Sequence, residues 1–161
     1  MMDTINERLS RFSSELRYED IPAEVLDHLK RVMLDCYGCG LFGSTTPWMR
    51  IYRDVLENMS DRKEASIWGT NRKTSVINAM MLNGSAINSF ELDDTHTDGI
   101  IHVSTGVLGC ITAFAEMLGN MSGKDFLTAA ALAYEISCRV AAPVGMEIAH
   151  QGWNNTGTCC P

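Results

Sequence analysis

Runs of basic residues are missing from this sequence. Its 13 lysines and arginines are scattered and outnumbered by 20 aspartates and glutamates, for a formal net charge of -7. A chain of that sign, without a basic patch, is a poor partner for nucleic acid or an anionic membrane surface. A long apolar run is missing too. The longest uncharged stretch, residues 99–115, is interrupted by His102, Ser104 and Thr105 and makes a poor membrane span. The opening MMDTINERLSRF is polar and amphipathic, unlike a signal peptide. These absences point to a cytoplasmic protein.

Zinc-site spacing is also lacking. Of six cysteines, Cys36 and Cys39 form one CxxC, but within RVMLDCYGCGLFG, the apolar end of a helix. Reduced thiols packing as small hydrophobes are the expectation there. Cys159 and Cys160 are adjacent and cannot bridge each other without strain, and no second CxxC stands at a matching distance. No internal repeat, low-complexity tract or linker breaks the chain.

What is present is an ordinary globular composition, 45% apolar and 20% charged over 161 residues. That length suffices for one domain burying roughly 70% of its unfolded surface. Nearly all of it reads as helix. Thr4 with Glu7 makes a capping box for a helix ending near Leu16. Pro22 suits a first helical position, and the next helix runs to about Phe42, its front half carrying Val25, Leu26, Leu29, Val32 and Met33. Pro47 starts a third, with Trp48, Ile51, Tyr52, Val55, Leu56 and Met59 on one apolar face. EASIWGT, residues 64–70, is too short for a helix and predicts a small strand. A helix of small and apolar residues follows from Thr74, then two more over about 105–119 and 123–142, the last capped by Ser122 and Asp125 and carrying a Glu135–Arg139 pair. These two late helices are apolar nearly all round and need cover on several sides, from a second copy or from further polypeptide. The ending GWNNTGTCCP reads as an open glycine-rich loop. The fold class is all-α.

Chemistry concentrates in FELDDTHTDGIIHVSTG, residues 90–106, with Glu91, Asp93, Asp94, His96, Asp98 and His102 close together. A carboxylate beside an imidazole holds the histidine's tautomer and suits it to acid–base work. Thr95, Ser104 and Thr105 could orient a substrate carboxylate or a water, and the helix beginning near Val103 would turn free N–H groups toward an anion. The residues alone leave three readings open. The acids are a solvated turn around a core histidine, or they hold a divalent metal with His96 and His102, or His102 is an acid–base group acting on an organic acid.

Four segments, in order over most of the chain, resemble the N-terminal part of the MmgE/PrpD family. YEDIPAEVLDHLKRVMLDCYGCGLFGS is similar to its opening helix pair, and NAMMLNGSAINSFELDDTH to its small-residue helix ending in a DDxH element. HVSTGVLGCITAFAEMLGNMSGKDFLTAAALAYEISCRV resembles its histidine loop, buried helix, SGKD cap and next helix, and GWNNTGTC its GxHxTGTxG loop. The resemblance implies an all-helical domain, here residues 1–161, that in the family joins a smaller α+β domain absent from this chain, and a homodimer. It implies a lyase of the 2-methylcitrate dehydratase type, abstracting a proton α to a carboxylate of a small polycarboxylate, with no cofactor. By position it assigns catalysis to His102 and Asp93, and substrate contact or support to Thr95, Asp94, His96 and Asn154.

Two departures stand out. Asn154 occupies the place of the family's histidine, and asparagine cannot shuttle a proton near neutral pH. His150, four residues earlier, is a possible substitute. The chain also stops before the family's later active-site lysines. A polycarboxylate approaching the acidic loop meets like charge, and the local basic pair, Arg72 and Lys73, precedes the helix before it. Answering cations would come from later sequence or another subunit, so the chain is expected to be truncated and to form part of a site. The competing expectation is a non-catalytic helical dimerisation module.

Overall fold

The computed structural model describes residues 3–159, so Cys160 lies outside the described residues. Among the described residues, eight α-helices, one 3-10 turn and a hairpin of two two-residue strands make up the regular structure. Helix α1 (Ile5–Glu15) opens on the expected capping box: the Thr4 hydroxyl accepts from Glu7 N at 3.2 Å, and Thr4 N donates to the Glu7 carboxylate at 2.7 Å. A single 3-10 turn, Tyr18–Asp20, leads to α2 (Ala23–Gly43). Pro22 stands just outside α2 as its cap rather than as its first residue.

Helix α2 buries Leu26, Leu29, Met33, Cys36, Gly40 and Gly43, alternating steps of three and four that keep one row on the core. Val25 remains exposed. Helix α3 (Pro47–Glu57) starts at Pro47 as expected, but only the Tyr52 and Leu56 side of its apolar face points inward. Met49 and Leu56 are buried, whereas Trp48, Ile51, Val55 and Met59 are more than half exposed. The physical reason is width: α3 lies mainly against α4, and one neighbour cannot cover so broad a face.

The piece 64–70 does contain a strand, β1 (Ala65–Ser66), antiparallel to β2 (Lys73–Thr74) with Ala65 opposite Thr74. Thr74 therefore ends a strand rather than starting a helix. Ser75 caps α4 (Val76–Ile87), its hydroxyl accepting from Asn78 N. Helix α4 runs through the centre, against α2, α3 and α5 (Val103–Leu118). Its approach to α5 is close because both helices carry glycine at the crossing. A Cβ on Gly84 would lie 2.5 Å from the Thr105 carbonyl oxygen, and one on Gly109 only 2.9 Å from Gly84 N. This contact brings the start of α5 beside the end of α4.

Helix α6 (Gly123–Ala141) packs on α5 and α2, capped by Ser122 and carrying the Glu135–Arg139 pair. The burial of the two late helices is unequal. Helix α5 buries seven residues from Val103 to Ala113, but α6 buries only Ala130, Ser137 and Ala141. A five-residue helix that was not expected, α7 (Met146–His150), follows, and the expected open loop from residue 152 instead contains a second, α8 (Asn155–Cys159). Cys36, Cys39, Cys110, Cys138 and Cys159 are all free thiols, Cys36 fully buried. No helix among the described residues is long and apolar enough to cross a membrane.

Candidate active site

The loop between α4 and α5 is shaped by backbone bonds and by two unusual residues. After Asn88 closes α4, Glu91 takes a positive φ of 55° and the chain turns inward. His96 and Ile101 then exchange backbone hydrogen bonds of 2.9 and 3.3 Å, closing a small hairpin. Ile100 at its tip has φ of 52°, a left-handed conformation that a β-branched residue adopts only under constraint. His102 follows directly as the cap of α5.

Asp93 and His102 meet inside this loop. The Asp93 side chain is 0% exposed, and its Oδ1 lies 3.3 Å from His102 Nδ1. Asn88 Nδ2 donates to the same oxygen at 3.1 Å, and the Thr105 hydroxyl to Oδ2 at 3.0 Å. A carboxylate taken out of water needs such partners. With Nδ1 facing the carboxylate, the favoured tautomer is Nδ1–H, leaving Nε2 as the acceptor. Thr95 Oγ1 stands 3.5 Å from the same Nδ1, and the His102 side chain is 22% exposed. The arrangement can take or give a proton at Nε2 and has a carboxylate to stabilise the imidazolium.

The neighbouring Asp94 has a different position. Its Oδ1 accepts from Ser104 N at 3.0 Å and from the Cys36 thiol at 3.3 Å, capping α5 from ten residues upstream. Burial pushes that thiol up to about 12. Burial also raises the Tyr134 phenol, with the Asp94 charge adding to it, and Tyr134 is hydrogen-bonded to the Ser104 hydroxyl. Two backbone N–H groups at the start of α5 are already taken, that of Ser104 by Asp94 and that of His102 by Thr156.

His96 is half-buried, and its Nδ1 accepts from Gly99 N at 3.1 Å, bracing the hairpin. Asp94, Thr95 and His96 together line a cleft of about 270 Å³ between α2 and α6, with His28, Tyr134 and Glu135 opposite. Asn154 is exposed, and its Oδ1 accepts from Gly157 N at 3.0 Å as the cap of α8. His150 is exposed at the end of α7. Arg72 and Lys73 do not fold back onto the loop. They pair with Glu57 and Glu116 at the other end of α4, a helix about 18 Å long. Among the described residues no group of three His, Cys, Asp or Glu side chains is placed to hold a metal ion.

Sequence reasoning passed over Asn88, Asn155 and Thr156, which hold the loop from other elements, and gave Cys36 a packing role only. Asn88 could have been suspected as a polar residue closing a small-residue helix next to an acidic turn. The others carry no local signal.

Fold and loop describe an all-α domain built around a carboxylate–histidine hairpin. The chain belongs to the MmgE/PrpD family, matching the MmgE/PrpD N-terminal domain over residues 7–161. It is 33% identical over 158 residues to the cis-aconitate decarboxylase-like protein oryM of Aspergillus oryzae, covering 94% of this chain and 33% of that protein. It is similar to two proteins named cis-aconitate decarboxylase. The Aspergillus terreus protein is 27% identical over 155 residues, covering 93% of this chain and 32% of the relative. The Homo sapiens protein is 30% identical over 144 residues, covering 87% and 30%. The chain thus spans about a third of the length of the curated relatives it matches.

Proposed function

We propose that this chain contributes the proton-transfer wall of a lyase site for a small polycarboxylate, in a protein that is cytoplasmic and homodimeric when complete. The observation that carries the reading is the buried Asp93 carboxylate 3.3 Å from His102 Nδ1. Removing water or CO2 from such an acid requires one proton to move at carbon beside a carboxylate. A histidine whose Nδ1 stands beside a buried carboxylate suits that step. Thr95, Asp94 and His96 line the adjacent cleft and are assigned to substrate contact, with Asn154 as a more distant contributor. The names of the relatives put decarboxylation of cis-aconitate ahead of dehydration of 2-methylcitrate as the reaction to try first.

The test is proton NMR of the chain in D2O with each acid in turn. The expected result is a new alkene product, carrying solvent deuterium at carbon where CO2 is lost and none where water is lost, formed about a hundredfold or more slower in His102→Gln. Turnover that survives His102→Gln unchanged would overturn the assignment. The exposed stripe on α3 favours a second reading, a non-catalytic dimerisation module. Calorimetry separates the two, because such a module binds no di- or tricarboxylate.

A further inference from the structure

The shortest helix pair of the fold reaches the hairpin that carries His102. Asn155 is 4% exposed, and its Nδ2 donates to Gly99 O at 3.0 Å and to Gly145 O at 2.6 Å. Both partners are carbonyl acceptors, so the amide nitrogen must face them and the orientation of the side chain is fixed. One residue on, the Thr156 hydroxyl accepts from His102 N at 2.9 Å. These two bonds bracket Ile100, whose positive φ of 52° is unfavourable for a β-branched side chain. Such a conformation persists only where the surroundings over-determine it. The His96–Ile101 bridge is one restraint, and α8 supplies two more. Gly99 completes the seat, since a Cβ there would lie 2.5 Å from the Ala141 side chain.

We propose that Asn155 and Thr156 are positioning residues: α8 latches the strained hairpin and thereby fixes the His102 backbone that aims the imidazole at Asp93. The inference rests on the reading of His102 as the proton-transfer group, and it gives the NNTG segment a role independent of the Asn154 side chain. The latch acts on geometry alone and needs no substrate. Release of either arm lets Ile100 relax toward ordinary φ, and the imidazole loses its fixed distance to the carboxylate.

The test uses the 15N-labelled chain and two signals, amide exchange at His102 and the Nδ1 and Nε2 shifts that report its tautomer. Thr156→Val keeps the shape and removes the acceptor, whereas Thr156→Ser keeps the hydroxyl. In Thr156→Val the His102 amide is expected to exchange about tenfold faster, with the Nδ1–H signature averaging toward a tautomer mixture. The amide of Leu82 in α4 should stay as protected as in the parent chain, showing that the loss is local. Thr156→Ser should restore both signals. Asn155→Ala reads the other arm, and the same two changes are expected. Unchanged His102 signals in Thr156→Val and Asn155→Ala would overturn the latch, as would a Thr156→Ser variant that fails to restore them. Absence of turnover in the parent chain would count against the lyase reading alone, because neither signal depends on substrate.

Discussion

Two adjacent carboxylates in this loop face different partners, and the difference follows from where each side chain lands. Asp93 points at the end of α4 and meets Asn88, Thr105 and His102. Asp94 points toward α2 and α5 and meets a backbone N–H and a thiol. Negative charge at a helix start is favourable, so Asp94 stabilises α5 while Asp93 remains available to the imidazole. The buried Cys36 thiol shares Asp94, and its raised pKa has a consequence for stability. The unfolded chain loses this proton from about 9.0, whereas the folded chain holds it up to about 12. Between those values the native state binds more protons than the unfolded state, so stability is full below pH 9 and falls as pH rises. The slope from this one thiol is about 1.4 kcal/mol per pH unit. Urea unfolding at stepped alkaline pH checks it: Cys36→Ala should show a shallower decline than the parent chain. Equal slopes would mean the thiol is not held protonated.

At the scale of elements, the crossing of α4 and α5 decides whether the Asp93 cluster forms at all. Thr105 reaches Asp93 because glycines at positions 84 and 109 let the two backbones approach. Gly84→Ala drives a methyl group into the Thr105 carbonyl and is expected to cost about 1–3 kcal/mol, with loss of the Thr105–Asp93 bond. Gly38 in α2 has nothing within 4 Å of an added Cβ. Gly38→Ala should therefore stabilise by about 0.5–1 kcal/mol. Thermal melts of the pair check both signs, and a Gly84→Ala variant as stable as the parent would refute the close packing. What the sequence made legible divides along the same line. The caps at Thr4 and Ser122 could be read because their bonds span three residues. The partner strand Lys73–Thr74 could not, since pairing depends on how the chain folds back. Helices α7 and α8 are too short to show a period. The Asp93–His102 cluster could be suspected because its two members stand only nine positions apart. Its latch could not, because Asn155 and Thr156 act across separations of 56 and 54 residues.

For the whole molecule, the apolar surface that remains uncovered is the feature left to explain. Ile51 and Met59 are 68% and 70% exposed, and Trp48 and Val55 lie on the same side of α3. The patch does not end with that helix. Trp48 Nε1 donates to Ser89 Oγ at 2.6 Å, and Phe42 meets Phe90 edge-on with ring centres 4.8 Å apart. Exposed apolar surface therefore continues into the turn that leads to Asp93. Contiguous patches of this kind mark contact surfaces, and a homodimer is the occupant already proposed. Burying one aliphatic side chain contributes about 1.5–3 kcal/mol, so losing two should weaken association about a hundredfold or more. Ile51→Gln with Val55→Gln is expected to convert a sedimenting dimer to monomer at micromolar concentration. Because both side chains already face out, the thermal midpoint of the separated monomer should change little. A parent chain that sediments as a monomer at every concentration, or a double variant that still dimerises, would move the interface away from α3. Association through α3 would in turn place the Asp93 loop close to the partner subunit, where a cation from the second copy could answer its charge.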